Sequence, residues 1–265
     1  MDTTLAFETN ANVPVNAVSR FKAAGIHFAL SALIAVAVLL LMLKVWYPQP
    51  YFAAVGGDEL LLLIFCIDVT LGPLITLIIF DLKKKSLKFD LSVIAVIQIA
   101  ALCYGVYAMY QARPVYTVFV KDQFKIVTAN ELEDEQLAKV KRLEFKSLPI
   151  SGPVIVAAIE PTDKAERDYV ATGAVFGMDL QFFPQHYQLY REVQSKILLQ
   201  AQPLTVLQKS NPSGYKQIEA ALAQMNKNLK DVVFLPCKSK HKSMTALLDA
   251  KTGEIVKILP VSSAV

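Results

Sequence analysis

The sequence predicts a membrane protein with three transmembrane α-helices followed by an α+β domain. The chain has 265 residues, of which 54% are hydrophobic, and its mean hydropathy of +0.40 is too high for an ordinary soluble protein of this length. The apolar residues are concentrated before Arg113, in three runs that each have the length of a membrane span. The rest of the chain has the composition of a soluble domain.

The second apolar run extends from Leu60 to Phe80 and is followed closely by the lysines at 83–85. At about 1.5 Å per residue, it is long enough to cross a hydrocarbon core of about 30 Å. Its middle carries one acid, Asp68, and the pair Gly72-Pro73 follows within the next turns. We therefore predict a transmembrane helix at about 60–80, with the lysines fixing its far end on one side of the membrane.

The N-terminal 19 residues are polar and lack periodicity, which predicts a flexible tail; an alternative is that translation begins near Ser19. An uncharged apolar run follows at about 23–43. Its basic flank resembles that of a signal peptide, but the run is longer than a typical signal-peptide core and no small-residue cleavage site follows it. The sequence therefore predicts a retained first transmembrane helix, followed by a short loop over 44–59 with aromatic residues and prolines.

The third apolar run is predicted to span the membrane at about 91–110, and the short loops predict the orientation of all three spans. Arg20 and Lys22 lie on the same side as the lysines at 83–85 and 88, whereas Lys44 lies alone on the other side. Because basic residues favour the cytoplasmic side, we predict a cytoplasmic N-terminus. The three-helix region then covers residues 20–113, and residues 114–265 form an outer domain.

The outer domain alternates patterns typical of strands and helices. Strands are predicted at 115–120, 124–127, 153–159, 231–235, 244–248 and 254–259, with hairpins joining the first two and the last two. Helices are predicted at 131–140, 162–174, 185–200 and 213–226. Asn130 is the expected cap of the first of these helices, and Pro203 ends the third.

Asp68 is the most unusual residue, because a carboxyl group near the bilayer centre costs several kcal/mol and is a functional candidate by default. Counting about 1.5 Å per residue, Tyr104 and Gln98 lie within about 7 Å of its level, whereas His27 lies about 12 Å nearer the cytoplasm. One interpretation is a polar clasp, in which Asp68 bonds to Tyr104, Gln98 or Thr70 and fixes the bundle. The alternatives are contact with a partner's membrane helix and a proton relay.

Other candidate residues give weaker signals. Gly72-Pro73 predicts a tolerated kink or a gate, on a small-residue face that another helix can approach. In the outer domain, the residue types that suggest chemistry are His186, Cys237 and His241, and their spacing matches neither a metal site nor a catalytic motif. The basic cluster 238–242 predicts a solvated turn or, less often, an anionic contact. We therefore expect no enzymatic activity, cofactor or metal, and a net charge of +4 gives no reason to expect nucleic acid as a partner.

Three segments resemble those of a known family. They are Ser19 to Phe28, Cys66 to Thr76, and a third-span run that contains Gln98, Tyr104-Gly105 and the segment 112–116 with Arg113. Together they resemble the TfpX/TfpZ family of type IV pilin accessory proteins, over about residues 19–127. The resemblance implies a Gram-negative inner-membrane protein with a periplasmic α+β domain, which assists a particular major pilin and is itself neither a pilin, a motor ATPase nor a prepilin peptidase.

The resemblance thus implies a pilin-specific chaperone or assembly modulator that binds the type IV major pilin. We expect Asp68, Gly72 and Pro73 to form the bundle-side contact; the remaining candidates for partner binding or bundle structure are His27, Gln98, Tyr104 and Arg113. Membrane lipids and components of the inner-membrane pilus platform are further expected partners. Two alternatives remain: a regulator that acts on the platform or retraction apparatus, and an envelope sensor whose outer domain binds a small ligand.

Overall fold

The computed structural model describes residues 15–263, and these residues form two compact units. The first, which we call the membrane unit, consists of residues 15–38 and 61–106; the second, the sheet domain, consists of residues 39–60 and 107–263. Residues 1–14 of the predicted tail lie outside the described residues, whereas residues 15–19 belong to the first helix. The predicted three-helix region, 20–113, therefore shares its segment 39–60 and its last residues with the sheet domain.

Three long helices are confirmed, with ends a few residues away from the predicted ones. Helix α1 (Val15–Leu41) continues through a π-helical turn, Met42–Trp46, and a short helix α2 (Tyr51–Ala54) follows. The second long helix consists of α3 (Gly57–Phe65), a π-helical turn Cys66–Leu71 and α4 (Gly72–Ile79), and the third is α5 (Leu87–Gln111). The helices that are long and apolar enough to cross a membrane are Ser19–Trp46, Gly57–Ile79 and Leu87–Gln111, here called spans 1, 2 and 3.

The sheet domain contains a mixed eight-stranded sheet. Its strands are β1 (Pro114–Val120), β2 (Gln123–Thr128), β3 (Val154–Ala158), β4 (Tyr187–Leu189), β5 (Gln202–Pro203), β6 (Val232–Lys238), β7 (Ser243–Asp249) and β8 (Ile255–Leu259). Their order is β4-β3-β1-β2-β6-β7-β8, with β5 paired to β6. The pairs β1–β3 and β2–β6 are parallel and the others are antiparallel. The predicted strands and both hairpins are thus present.

The α-helices that follow β1 within residues 114–263 are α6 (Asp134–Ala138), α7 (Lys164–Val175), α8 (Tyr190–Leu198), α9 (Leu204–Ser210) and α10 (Pro212–Gln224). Helix α7 begins as predicted, because the Asp163 carboxylate accepts a hydrogen bond from the Glu166 N–H. Two predictions were wrong. The segment 187–189 is strand β4, because it pairs with the edge of β3 and buries Tyr187. Asn130 lies inside a 3₁₀ turn that begins after Thr128, and the following helix starts only at Asp134.

The loop predicted between spans 1 and 2 is part of the core of the sheet domain. Strand β1 is buried along its whole length, and its two faces contact two different hydrophobic clusters. Tyr51 and Ala54 from α2 belong to one of these clusters. The Thr117 hydroxyl donates a hydrogen bond of 3.1 Å to the Tyr51 hydroxyl, and burial raises the pKa of Tyr51 to about 12. The chain entering span 2 is therefore fixed to the sheet.

The Cys237 thiol is predicted to be unreactive in the folded protein. Its side chain lies in β6 with 0% exposure, and burial raises its pKa to about 12. Because the thiolate is the reactive form, this pKa lowers the reactive fraction at neutral pH by about 10³ relative to an exposed thiol. We expect a hydrophilic maleimide to label a variant with Cys66→Ala and Cys103→Ala only after a denaturant is added. Rapid labelling without denaturant would mean that β6 opens readily.

Candidate functional site

The backbone around Asp68 departs from the regular α-helical hydrogen-bond pattern. The Gly72 N–H donates to the carbonyl oxygen of Ile67, five residues earlier, which is the spacing of a π-helical turn. Pro73 follows directly and has no N–H to donate, so the regular bond is lost at the same place. Where the sequence predicts a kink or a gate, the structure has a π-helical turn that contains Asp68.

Asp68 is buried and incompletely hydrogen-bonded. Its exposed fraction is 9%, and its Oδ1 atom has no hydrogen-bond partner within residues 15–263. A buried carboxyl oxygen without a donor costs free energy, and such groups in membrane segments mark functional sites by default. Asp68 of span 2 therefore has a carboxyl oxygen that could accept a hydrogen bond from another molecule.

Asp68 lines an open pocket of about 170 Å³ in the membrane unit. One wall is a face of α1 and the other a face of α5, and both show the spacing of residues that share one side of a helix. The lining residues are His27, Leu30, Ser31, Ile34 and Ala35 from α1, Ala95, Gln98, Ile99 and Leu102 from α5, and Asp68. Leu30 and Ile99 are 57% and 61% exposed, so the pocket opens towards the surface that lipid would cover. An apolar pocket with a few polar groups is typical of a binding site.

Gln98 and Gly72 bring span 2 and span 3 together beside Asp68. The Gln98 side-chain amide donates a hydrogen bond of 3.4 Å to the Asp68 backbone carbonyl. A Cβ atom at position 72 would overlap the same Gln98 amide, so only glycine allows this approach. Gly72 and Pro73 are both buried. The predicted pairing of Gln98 with Asp68 therefore occurs through the backbone of Asp68.

His27 and Thr76 connect span 1 to span 2. The His27 Nδ1 and Thr76 Oγ1 atoms are 2.7 Å apart, and Thr76 is 3% exposed. Thr76 lies two turns beyond Asp68, which agrees with the level predicted for His27. Sequence reasoning missed Thr76 and Ser31; the signal for Ser31 was its position four residues after His27, on the same helical face.

The other predicted residues lie elsewhere. Tyr104 is 74% exposed and Thr70 is also exposed, so neither forms the predicted clasp with Asp68. Arg113 belongs to the sheet domain, where its guanidinium donates to the carbonyls of Tyr110 and Pro149 and lies 3.8 Å from the centre of the Tyr110 ring. Burial lowers the pKa of Arg113 from its ordinary value. Arg113 therefore anchors the end of span 3 within the sheet domain.

The sheet domain is a weaker candidate for a functional site than the pocket at Asp68. The His186 Nε2 atom lies 3.1 Å from the Glu166 Oε1 atom, Cys237 is in the core, and His241 contacts Gly56. Within residues 15–263, no group of three or more His, Cys, Asp or Glu residues could hold a metal ion. The pocket at Asp68 is consequently the strongest candidate for binding.

Comparison with known proteins finds one matching family model and several similar proteins. The model of the fimbrial assembly protein FimB family matches residues 15–56. Two fimbrial assembly proteins of Dichelobacter nodosus, of serogroups I and E1, are each 34% identical over 223 residues, which are 83% of this chain and 86% of those proteins. A third, of serogroups C1 and C2, is 41% identical over 118 residues, 44% of this chain and 90% of that protein. No solved structure matches the chain.

Proposed function

Because the chain belongs to the family of fimbrial assembly proteins, we propose that it is a membrane accessory factor of type IV pilus assembly that binds the major pilin. The matched relatives and the TfpX/TfpZ proteins are both associated with the assembly of fimbriae. Membership of the TfpX/TfpZ family itself is still a prediction. The observation that carries the proposal is the buried Asp68 carboxyl, whose Oδ1 lacks a partner within residues 15–263 and which lines an apolar pocket.

The proposed location is the bacterial inner membrane, with a cytoplasmic N-terminus and a periplasmic sheet domain. The distribution of lysine and arginine over the short loops supports this orientation. Arg20 and Asp81 form an ion pair of 3.5 Å, so the start of span 1 and the end of span 2 lie at the same end of the membrane unit. Three spans then put the sheet domain on the opposite side from the N-terminus.

The pocket fits a transmembrane helix of the pilin that waits in the membrane before assembly. The pocket walls are apolar and would pack against such a helix, while the Asp68 carboxyl would accept a hydrogen bond or pair with a positive charge from it. An unassembled pilin has a membrane helix that continues into a soluble head. This chain also joins a membrane unit to a soluble domain, so one protein could hold both parts of the subunit.

Site-specific photocrosslinking in living cells tests the proposal. Probes at Leu30 and Ile99 line the pocket, and probes at Leu33 and Val96 lie on the same helices outside it with similar exposures of 67% and 66%. We expect pilin adducts from the pocket probes at several times the yield from the control probes. Deletion of the protein should also lower the amount of pilin, because an unprotected subunit is degraded.

Three results would contradict the proposal. Adducts from the pocket probes that contain only platform or motor components would place the protein among regulators of the pilus machine. Equal pilin yields from pocket and control probes would mean that the subunit contacts the bundle without using the pocket. Normal pilin amounts with altered pilus number after deletion would also favour a regulator.

A further inference from the structure

The basic cluster 238–242 forms the exposed tip of the β6–β7 hairpin. Lys238, Lys240, His241 and Lys242 are all exposed. Ser239 closes the turn, because its hydroxyl donates a hydrogen bond of 2.7 Å to the Lys242 carbonyl oxygen. The tip is therefore a hydrogen-bonded turn that carries three exposed lysines.

This tip is fixed to the chain just before span 2. The Ser239 hydroxyl oxygen also lies within hydrogen-bond distance of the Ala54 carbonyl oxygen, so its single proton is shared between the Ala54 and Lys242 carbonyls. The Lys242 ammonium lies 3.7 Å from the Asp58 carboxylate. The His241 ring packs on Gly56, where an added Cβ would stand 3.0 Å from it and where φ is +77°. Glycine is thus required at position 56 both for its conformation and for the approach of His241.

These contacts hold the lysines beside the start of span 2. Span 2 begins at Gly57, directly after the residues that the tip contacts. At the ends of spans 1 and 3, the rings of Trp46 and Tyr110 pack edge to face with centroids 5.4 Å apart, and such aromatic residues are enriched at the membrane–water interface. The tip therefore lies beside the first residues of a helix that is long and apolar enough to cross a membrane.

Two of the three lysines are available to an external anion. Lys242 forms an ion pair with Asp58, and Glu59 is a second exposed acid next to Asp58 in the sequence. Lys238 and Lys240 form no ion pair within residues 15–263. Clusters of basic residues beside a membrane helix attract anionic lipids. We propose that the β6–β7 tip binds the headgroups of anionic phospholipids on the side of the membrane that carries the sheet domain. The proposal does not depend on which fimbrial component the protein binds.

The experiment uses the full chain in nanodiscs of phosphatidylcholine with a small share of a photoactivatable phosphatidylglycerol. The test variant is Lys238→Gln, Lys240→Gln, Lys242→Gln; the matched control is Lys209→Gln, Lys216→Gln, Lys230→Gln, which removes three exposed lysines elsewhere in the same domain. We expect the test variant to lose at least two thirds of the lipid adducts on peptides covering 238–242 and 54–58. The control variant should keep them, and added salt should reduce them in the wild type.

The proposal would be overturned by equal adduct yields in the two variants, by equal yields when a photoactivatable phosphatidylcholine replaces the phosphatidylglycerol, or by adducts on these peptides that resist high salt. Protection of Cys237 from maleimide serves as the check that each variant is folded. If the test variant loses fimbrial assembly but keeps its phosphatidylglycerol adducts, the lysines contact a protein instead of lipid, and the proposal is wrong.

Discussion

Replacing Asp68 with leucine is expected to stabilise the membrane unit and to abolish fimbrial assembly. Leucine removes a buried carboxyl whose Oδ1 has no hydrogen-bond partner within residues 15–263, and it leaves the backbone carbonyl that Gln98 binds. The free energy of unfolding should therefore rise by about 2 kcal/mol. The same change deprives the pocket of its carboxyl group, so a partner's polar group that pairs with this carboxyl would lose that compensation.

Two quantities are measured for each variant. They are the resistance of the protein to unfolding by a denaturing detergent and the number of pili on cells that express it. Asp68→Asn is the matched control: its amide oxygen is still an acceptor, and we expect partial assembly from it. A variant Asp68→Leu that is less stable than the wild type would show that Asp68 holds the bundle together, as the clasp hypothesis states. Normal piliation of Asp68→Leu would remove Asp68 from the binding site.

Replacing Gly72 with alanine is expected to displace Gln98 and to separate span 2 from span 3. The added Cβ would overlap the Gln98 amide, and this amide is the end of a flexible side chain, so it can rotate away only by losing its bond to the Asp68 carbonyl. Overpacking of this kind lowers the free energy of unfolding by about 1–3 kcal/mol. The displaced side chain would also enter the pocket, so pilin crosslinking from Ile99 should fall several-fold.

A double-mutant cycle separates this steric effect from other consequences of the substitution. Gln98→Ala alone removes one interhelical hydrogen bond, worth about 0.6 kcal/mol. In the double variant the overlap is absent, so the loss should be clearly smaller than the sum of the single losses. Gly25→Ala is the stability control, because no atom of the described part of the chain lies within 4 Å of an added Cβ there and alanine favours a helix. Additive losses at positions 72 and 98 would mean that these residues do not interact.

Much of the fold could be predicted because its signals are local. The spans follow from the length of uninterrupted apolar runs, which depends on bilayer thickness and helical rise alone. Strands β1 and β2 follow from two apolar runs with a short polar turn between them. The start of α7 follows from Asp163, whose side chain bonds within its own turn.

The errors in the sheet domain arise where distant contacts compete with local preference. The segment 187–189 continues the helical pattern of its neighbours, yet it becomes β4 because strand β3 provides backbone hydrogen bonds and a buried place for Tyr187. The sequence of the loop before span 2 does not indicate burial, yet Tyr51 packs into the core of the sheet domain. Such pairings depend on residues far away in the sequence, which no local pattern contains.

The sequence alone determined that Asp68 is exceptional, because an acid within an apolar span is costly in any fold. It also determined the levels of Gln98 and His27, because helical rise is constant. Only the tertiary structure decided that Tyr104 faces outward and that Gln98 binds the backbone of Asp68 instead of its carboxyl. It also decided that Oδ1 of Asp68 receives no hydrogen bond from any residue in the described range 15–263. The physical reason is that rise fixes the height of a side chain along a helix, whereas its direction depends on the rotation of each helix against its neighbours.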